Sequence, residues 1–298
     1  MNIKKIKNSF TDGTFNFYLK DKMLRKKFKE NYNIVHDLHT LTFLEKKYNS
    51  FLKELPILPE STEEKPKIIW WCWLQGEENA PVLCRKCLDS LRKNYPDYQI
   101  NIVTSKNLYD YIDFPEYIKE KYSTGVITHT HFSDLIRAQL LIKYGGIWID
   151  SSVYCTGRSE YIEQSPFFVY KSFLNANNSM SASSWLISAN KNNPILITTR
   201  DLLFEYWKSK KSLINYFLFH ICFTIARRKY PQIWEDITNI PNTLPHILQF
   251  EMLKPYSSER MKEIKRLSNF HKLSQKIIVD EKNINGSYYF KLINGEEL

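Results

Sequence analysis

Residues 133–155 read SDLIRAQLLIKYGGIWIDSSVYC and combine the signals of a helix, a turn and a strand in one run. Ser133 is a residue type that favours a helix N-cap, and the apolar residues after it recur at helical spacing. Gly145 and Gly146 can adopt positive φ and predict the end of that helix. The pattern GIWID then predicts a short strand that carries Asp150 at its C-terminal end, where ligands bind in open α/β sheets.

Strand and helix patterns alternate from Lys67 onward, which is typical of an α/β domain. The other elements predicted for this domain are strands over 67–74, 98–104 and 167–172 and a helix over 81–94. A chain of 298 residues that is 43% hydrophobic can bury a substantial core of this kind.

The segment before this domain has a different character. Apolar residues recur at helical spacing between residues 15 and 55, and the proline-rich, acidic stretch LPILPESTEEKP follows. We therefore expect a basic helical region over 1–55, a linker over 56–66 and the α/β domain over 67–298.

The formal net charge of +10 is concentrated in two segments. Residues 1–29 carry nine Lys or Arg against Asp12 and Asp21, and residues 206–230 carry six Lys or Arg and no acid. The rest of the chain is therefore slightly acidic. Two separate patches argue against a uniformly basic nucleic-acid-binding protein.

The second basic segment brackets the apolar run LINYFLFHICFTIA, residues 213–226. This run is shorter than the roughly 18 apolar residues that a membrane-spanning helix needs. Two interpretations remain open. Residues near 206–230 form either a helical insertion that faces a membrane interface or an acceptor, or a core helix with solvated ends.

Two acids and a base in the opening stretch are candidate site residues. Asp134 and Arg137 are three residues apart on a helix, so they share a face and can grip one ligand or each other. Asp150 is followed by two small hydroxyl residues, a setting suited to a divalent cation or to sugar hydroxyls. Each feature alone has a structural alternative, a helix-surface ion pair or a turn aspartate, but their combination favours a ligand site.

The stretch SDLIRAQLLIKYGGIWID resembles the signature of the capsular polysaccharide synthesis glycosyltransferases, which are related to glycosyltransferase family 32 and more distantly to the glucosylating clostridial toxins. These proteins share an SD-x-x-R helix followed by GG-x-x-x-D. The strand KIIWWCWLQGEENAP also fits, because its Trp is followed by a Gly and then a Pro. The resemblance covers roughly residues 66–255, and the two motifs together are more specific than either alone.

The resemblance implies a GT-A-type, Rossmann-like nucleotide-diphospho-sugar transferase that uses a divalent metal, Mn²⁺ or Mg²⁺, and retains the donor's anomeric configuration. By position, it implies that Trp73 stacks on the nucleotide base, that Asp134 and Arg137 hold the donor sugar, and that Asp150 is the first acid of a D-x-D motif. Ser152 stands where that motif has its second acid, and as a neutral ligand it would bind the metal less strongly.

With Ser152 neutral, a further metal ligand is needed, and we expect His246 to supply it. His246 follows a proline-bounded loop and precedes a predicted helix, although a lone histidine is more often structural. His129 and His131 lie just before the motif and could border an acceptor pocket, but without a third nearby ligand their pattern favours an ordinary loop. Trp185 is a candidate for the acceptor side.

These observations predict an enzyme that moves a hexose from a nucleotide sugar, in our expectation UDP-linked, onto a lipid-linked oligosaccharide in capsular or surface polysaccharide assembly. Five cysteines form no even framework and no apolar leader is visible, so we expect a cytoplasmic protein that is peripheral on the inner face of the cell membrane and binds no nucleic acid. The alternatives are a toxin-like protein glycosyltransferase and a non-enzymatic basic nucleic-acid-binding protein.

Overall fold

The computed structural model of the protein describes residues 3–172, 179–277 and 284–298, with side chains described from residue 7 onward. The helices in these ranges are α1 (Ile3–Thr11), α2 (Phe15–Phe28), α3 (Tyr32–Lys47), α4 (Asn49–Glu54), α5 (Val82–Asn94), α6 (Leu108–Tyr111), α7 (Glu116–Ser123), α8 (His129–Tyr144), α9 (Glu160–Glu163), α10 (Pro194–Ser209), α11 (Leu218–Arg227), α12 (Pro231–Asp236), α13 (Ile247–Glu251), α14 (Ser258–Leu267) and α15 (Tyr288–Ile293). Short 3-10 turns lie at Lys29–Asn31, Glu77–Asn79 and Leu244–His246.

The described strands form two sheets. The strands are β1 (Ile68–Cys72), β2 (Gln99–Val103), β3 (Gly146–Ile149), β4 (Val153–Cys155), β5 (Phe167–Lys171), β6 (Ala182–Ala189) and β7 (Phe270–Lys272). The larger sheet has the order β2-β1-β3-β6-β5, and β4 pairs with β7 in the smaller one.

The larger sheet is mixed. Strand β1 runs parallel to both β2 and β3, whereas β6 is antiparallel to β3 and to β5. The carboxyl ends of β1 and β3 therefore meet at one edge, and residues 73 and 150 follow directly there. The sequence predicted β1, β2, β3, β5 and α5 in nearly these positions, but β6 was not predicted, because its SASSWLIS pattern has too many small polar residues to signal a buried strand.

The Gly-Gly turn brings β3 against β1. Gly145 and Gly146 have φ of 71° and 98°, in the region that favours glycine. A Cβ on Gly146 would lie 2.6 Å from the carbonyl oxygen of Ile68 in β1, so a side chain there would push the two strands apart. The indole of buried Trp70 donates a 2.9 Å hydrogen bond to the carbonyl of Gly145 and closes the turn from the other side.

Helix α8 begins one turn earlier than the sequence indicated. Its N-cap is Thr128, whose side chain accepts a hydrogen bond from the backbone N–H of His131, and Ser133 lies inside the helix with its hydroxyl bonded to the carbonyl of Thr130. The predictions of a Ser133 cap and of a loop at His129 and His131 were therefore wrong. Threonine and serine both favour the N-cap position, and in the structure Thr128 takes it.

The N-terminal region is helical, as predicted, and its helices contribute to the main core. Phe17, Leu41 and Leu44 are buried in the same apolar cluster as the sheet. The side chain of Asn215 donates a 2.8 Å hydrogen bond to buried Asp37 of α3. Residues 56–67 contain no helix or strand, and the linker over 56–66 stays a prediction.

Helix α11, which covers the second part of the apolar run 213–226, is a core element. In α11 all apolar side chains are buried, from Leu218 to Ala226. A helix that is enclosed by protein cannot present an apolar face to lipid, so the membrane-facing interpretation of this segment is corrected and the core-helix interpretation is supported. Among the described helices, none has the length and apolar character needed to cross a bilayer.

His271 in β7 should make stability depend on pH. It is fully buried with Nε2 3.0 Å from the hydroxyl of Thr156, and burial lowers its pKa from 6.5 to about 3. Between these values the unfolded chain binds a proton that the native state does not, so stability falls as the pH drops below 6.5. We expect acidification from pH 7.5 to 5 to cost roughly 2 kcal/mol through this residue, and His271→Gln to remove that part of the loss. Urea unfolding at both pH values measures it; an unchanged pH slope in the variant would contradict the assignment.

Candidate functional site

A cleft of about 340 Å³ opens at the carboxyl ends of β1 and β3. Cys72 at the end of β1 and the three residues that follow it form one wall, and Trp148 with residues 150–152 forms the floor. The first turns of α8, Tyr216 and residues near the end of β7 complete it. The larger sheet thus opens a cavity at the edge where the sequence predicted a ligand site.

Asp150 lies at the centre of this floor with a quarter of its side chain exposed. Its backbone N–H is bonded to the carbonyl of Trp185 in β6, at 2.8 Å. Its Oδ1 accepts hydrogen bonds from the Trp148 indole at 2.9 Å and from Arg137 Nη2 at 3.1 Å, and its Oδ2 lies 3.3 Å from Lys272 Nζ. Both carboxylate oxygens are therefore oriented by the protein.

Arg137 is the buried cation that links α8 to the cleft. It is only 4% exposed, and its guanidinium contacts Asp134 at 3.2 Å, Asp150 at 3.1 Å and the carbonyl of Ser184 at 2.9 Å. The guanidinium carbon also lies 5.0 Å from the ring centroid of Trp148, within cation–π range. These contacts hold one edge of the guanidinium at the cleft wall.

Asp134 lies behind Arg137 and does not line the cleft. Burial alone would raise its pKa, but Arg137 and His131 outweigh that effect and hold the pKa below the usual value. Its Oδ2 is 3.4 Å from His131 Nδ1. In this conformation Asp134 positions Arg137, and direct contact of Asp134 with a donor sugar stays a prediction.

Trp207 determines which ring nitrogen of His131 accepts a hydrogen bond. The Trp207 indole N–H can only donate, and it is 2.9 Å from His131 Nε2, so Nε2 must be the acceptor and lack a proton. The remaining proton of a neutral ring is then on Nδ1, which faces Asp134. His131 is thus a buried support of the Asp134–Arg137 pair, whereas His129 reaches the cleft wall and contacts Tyr122 Oη at 2.7 Å.

Besides Trp148 in the floor, two aromatic side chains border the cleft, one half-buried and one exposed. Trp73 is half-buried directly after β1, and its indole nitrogen has no hydrogen-bond partner in the described part of the chain. Tyr216 stands at the mouth with 63% of its surface exposed. Trp185, by contrast, is buried, stacks on Tyr170 and donates to Asn242, so the expectation that it lines an acceptor side was wrong.

Two lysines of the site were missed by the sequence reasoning. Lys272 ends β7 and Lys276 follows it, and both line the cleft. Lys272 Nζ also donates to Ser152 Oγ at 2.6 Å. No local signal could have found them, because a three-residue strand leaves no periodic pattern and only its pairing with β4 brings Lys272 to Asp150.

The described residues do not fit the divalent metal that the resemblance implies. Asp150 and Ser152 already bind Lys272, and His246 lies outside the cleft lining, with Nδ1 2.9 Å from Gln249 Oε1 and its ring against Trp185. Within the described ranges, no group of three or more His, Cys, Asp or Glu is placed to hold a metal. Hard cations prefer several anionic oxygens. The ligand set Asp150, Ser152 and His246 stays a prediction that this arrangement does not support.

Comparison with known proteins places most of the chain in one group. A family model described as capsular polysaccharide synthesis protein matches residues 20–292. This match spans the cleft, α8 and the N-terminal helices from the middle of α2 onward.

Two individual proteins are similar to parts of the chain. The O-glycosyltransferase braB of Annulohypoxylon truncatum is 32% identical over 94 residues, which are 28% of this chain, and the chain spans only 22% of that relative's length. A solved structure described as PaToxG glycosyltransferase aligns with 93% of this chain and 98% of its own, at 15% identity and a TM-score of 0.41.

The two acids that contact Arg137 should differ in their effect on stability. Asp134 is more than nine-tenths buried, and Asp134→Asn replaces its negative charge with a neutral amide beside Arg137. Breaking such a buried ion pair lowers the free energy of unfolding by about 3 to 5 kcal/mol. Asp150→Asn should cost clearly less, because Asp150 borders the cleft and Arg137 keeps Asp134 and the Ser184 carbonyl. Urea unfolding of both isosteric variants at pH 7 measures the difference. Equal losses would show that Asp134 is not the structural partner.

Proposed function

This chain belongs to the capsular polysaccharide synthesis protein family, and from that premise we propose that it is a glycosyltransferase with a GT-A-type fold. It transfers a hexose from a nucleotide sugar, UDP-linked in our proposal, to a lipid-linked saccharide in the assembly of a capsular or surface polysaccharide. The observation that carries the proposal is the cleft, in which an aromatic wall, three cations and a single fixed carboxylate meet at the ends of two parallel strands.

The parts of a nucleotide sugar match this cleft in order. Trp73 offers a half-buried aromatic face for the base, as the resemblance implies. Arg137, Lys272 and Lys276 offer positive charge to the diphosphate, and among the described lining residues Asp150 is the sole carboxylate that opposes them. Asp150 Oδ2, which is held by Lys272, is available to a sugar hydroxyl if that lysine turns toward phosphate.

The chemistry requires stabilisation of the leaving group. When the bond between the anomeric carbon and the phosphate oxygen breaks, the nucleoside diphosphate gains negative charge, and fixed cations stabilise that charge more effectively than mobile water. Arg137 is held by three protein contacts before any donor binds, so little reorganisation is needed. Retention of the anomeric configuration is part of the proposal on the strength of the resemblance alone.

Thiol chemistry is unsuited to this site. Cys72 lines the cleft, but burial raises its pKa to about 12, with a smaller opposing effect from Arg137. The thiolate is therefore scarce at neutral pH, and a covalent cysteine intermediate is not part of the proposal.

Two exposed surfaces, at Tyr216 and on helix α2, suit the acceptor and the membrane in this proposal. Exposed Tyr216 at the cleft mouth suits a sugar ring of the saccharide acceptor. Helix α2 exposes Leu19 and Met23, at 46% and 64%, beside exposed Lys20, Lys22, Lys26 and Lys27. Exposed apolar side chains within a basic helix surface suit the anionic inner face of a cell membrane, where a lipid-linked acceptor would be found.

Asp150 should be required for full turnover. Asp150→Asn preserves shape and removes the charge that orients Arg137 and Lys272, so we expect at least a tenfold loss of turnover, equivalent to about 1.4 kcal/mol or more. The assay follows nucleoside diphosphate release from a panel of nucleotide sugars. The matched control is Asp110→Asn, at an exposed residue outside the cleft lining. Wild-type turnover in Asp150→Asn, with the control unchanged, would refute this placement of the active site.

Helix α2 should anchor the protein to anionic lipid. Reversing Lys20, Lys22, Lys26 and Lys27 to Glu removes attractions of about 1 kcal/mol each, so co-sedimentation with phosphatidylserine-containing vesicles should be lost at low salt. A control reverses four exposed basic residues elsewhere, Lys106, Lys254, Lys262 and Arg266.

Vesicles of neutral lipid should bind neither the wild-type protein nor the two charge-reversal variants. If the control reversal releases the protein as fully as the α2 reversal, the binding is a general effect of charge and the α2 surface is not the anchor.

A further inference from the structure

We propose that the ammonium group of Lys272 takes the place of a divalent cation in this site and neutralises the diphosphate leaving group directly. The inference rests on the proposed function, because it concerns the same cleft and a nucleotide-sugar donor. It assigns to Lys272 a catalytic contact with the phosphate oxygens.

Backbone pairing between β7 and β4 positions Lys272. Strand β7 is antiparallel to β4, with Lys272 opposite Val153, and the N–H of Leu273 bonds to the carbonyl of Ser152 at 2.8 Å. This ladder lies immediately after the Asp150 turn. The lysine side chain, one-fifth exposed, therefore reaches the two residues of the D-x-S motif from the opposite strand.

The contacts of the ammonium group are those that a metal would need. Nζ lies 3.3 Å from Asp150 Oδ2 and 2.6 Å from Ser152 Oγ, which are the two oxygens that a D-x-D-like motif offers here. A divalent cation bound between the same atoms would have to displace Lys272 and would then lie beside the positive charges of Lys272 and Arg137. With a single carboxylate in place, that exchange is unfavourable.

Ser152, at the position of the motif's second acid, explains why an ammonium group suits this site better than a divalent cation. A carboxylate at residue 152 would give the pair of anionic oxygens that favours a divalent cation, whereas the Ser152 hydroxyl accepts one hydrogen bond from an ammonium without adding charge. The serine and the lysine therefore form a matched set. The same residue that departs from the D-x-D pattern is the one that Lys272 binds.

The transfer step balances without a metal. The electron pair of the bond between the anomeric carbon and the phosphate oxygen passes to the nucleoside diphosphate, an acceptor hydroxyl oxygen bonds to that carbon, and the hydroxyl proton leaves to solvent. Lys272 keeps its protons and donates a hydrogen bond to the leaving phosphate, with Arg137 on the adjacent wall. Charge-assisted hydrogen bonds of this kind are about twice as strong as neutral ones.

The test compares Lys272→Met, which keeps the length of the side chain, with Lys276→Met as a matched control in the same cleft and Lys272→Arg as the conservative variant. UDP, GDP and ADP binding is measured by calorimetry, and nucleotide-sugar turnover is measured in parallel, each in EDTA and in Mn²⁺. Melting temperatures verify that every variant is folded.

We expect wild-type protein to bind its nucleoside diphosphate and turn over donor equally well in EDTA and in Mn²⁺. Lys272→Met should bind at least about tenfold more weakly and turn over about 100-fold more slowly, with a smaller effect for Lys276→Met and partial rescue in Lys272→Arg. The double variant Lys272→Met, Ser152→Asp should acquire Mn²⁺-dependent nucleotide binding, because it restores two acids and removes the ammonium.

Three outcomes separate a failure of this inference from a failure of the proposed function. Wild-type binding and turnover that disappear in EDTA and return with Mn²⁺ would overturn the role of Lys272 and leave the glycosyltransferase proposal standing. Absence of both binding and turnover with every nucleotide, with or without Mn²⁺, would overturn the proposed function and this inference with it. A folded Lys272→Met protein with wild-type binding and turnover in EDTA would overturn the inference alone.

Discussion

The site depends on one buried guanidinium. Arg137 is almost fully enclosed, and an arginine in that position is tolerated only if its charge is compensated and its N–H groups are bonded. Asp134 supplies compensation from the same helix, and Asp150 supplies it from the neighbouring strand. The requirement ties α8 to the end of β3, and the Gly-Gly turn between them is the short connection that lets both acids reach one cation.

This pairing also sets the electrostatics of the cleft. Asp134 is withdrawn behind Arg137 and supported by His131, so it neutralises charge without occupying the ligand space. Asp150 is the carboxylate that remains at the surface of the cleft, and it faces Arg137 on one side and Lys272 on the other. The cleft therefore has a positive surplus with a single fixed anion, an arrangement that favours an anionic ligand with hydroxyl groups nearby.

The basic helical region at the N-terminus is part of the main core. Its helices α2 and α3 join the apolar core, and Asn215 links α3 to the segment before α11. The basic residues of α2 stay exposed, while the equally basic bracket around α11 encloses a buried helix. Two segments of similar charge in the sequence thus have different surroundings, and composition could not separate them.

The sequence by itself determined the elements around the site. The helix, the Gly-Gly turn and the strand before Asp150 follow from periodicity and from backbone sterics, which act over a few residues. The parallel pairing of β1 and β3, which places Trp73 and Asp150 at one edge, belongs to the tertiary structure. Only the tertiary structure decided that Asp134 is withdrawn, that α11 is buried and that β6 is part of the sheet. It also decided that Lys272, 122 residues after Asp150 in the chain, completes the site. These features depend on which distant segments pack together, and side-chain burial and strand pairing over such separations leave no local pattern to read.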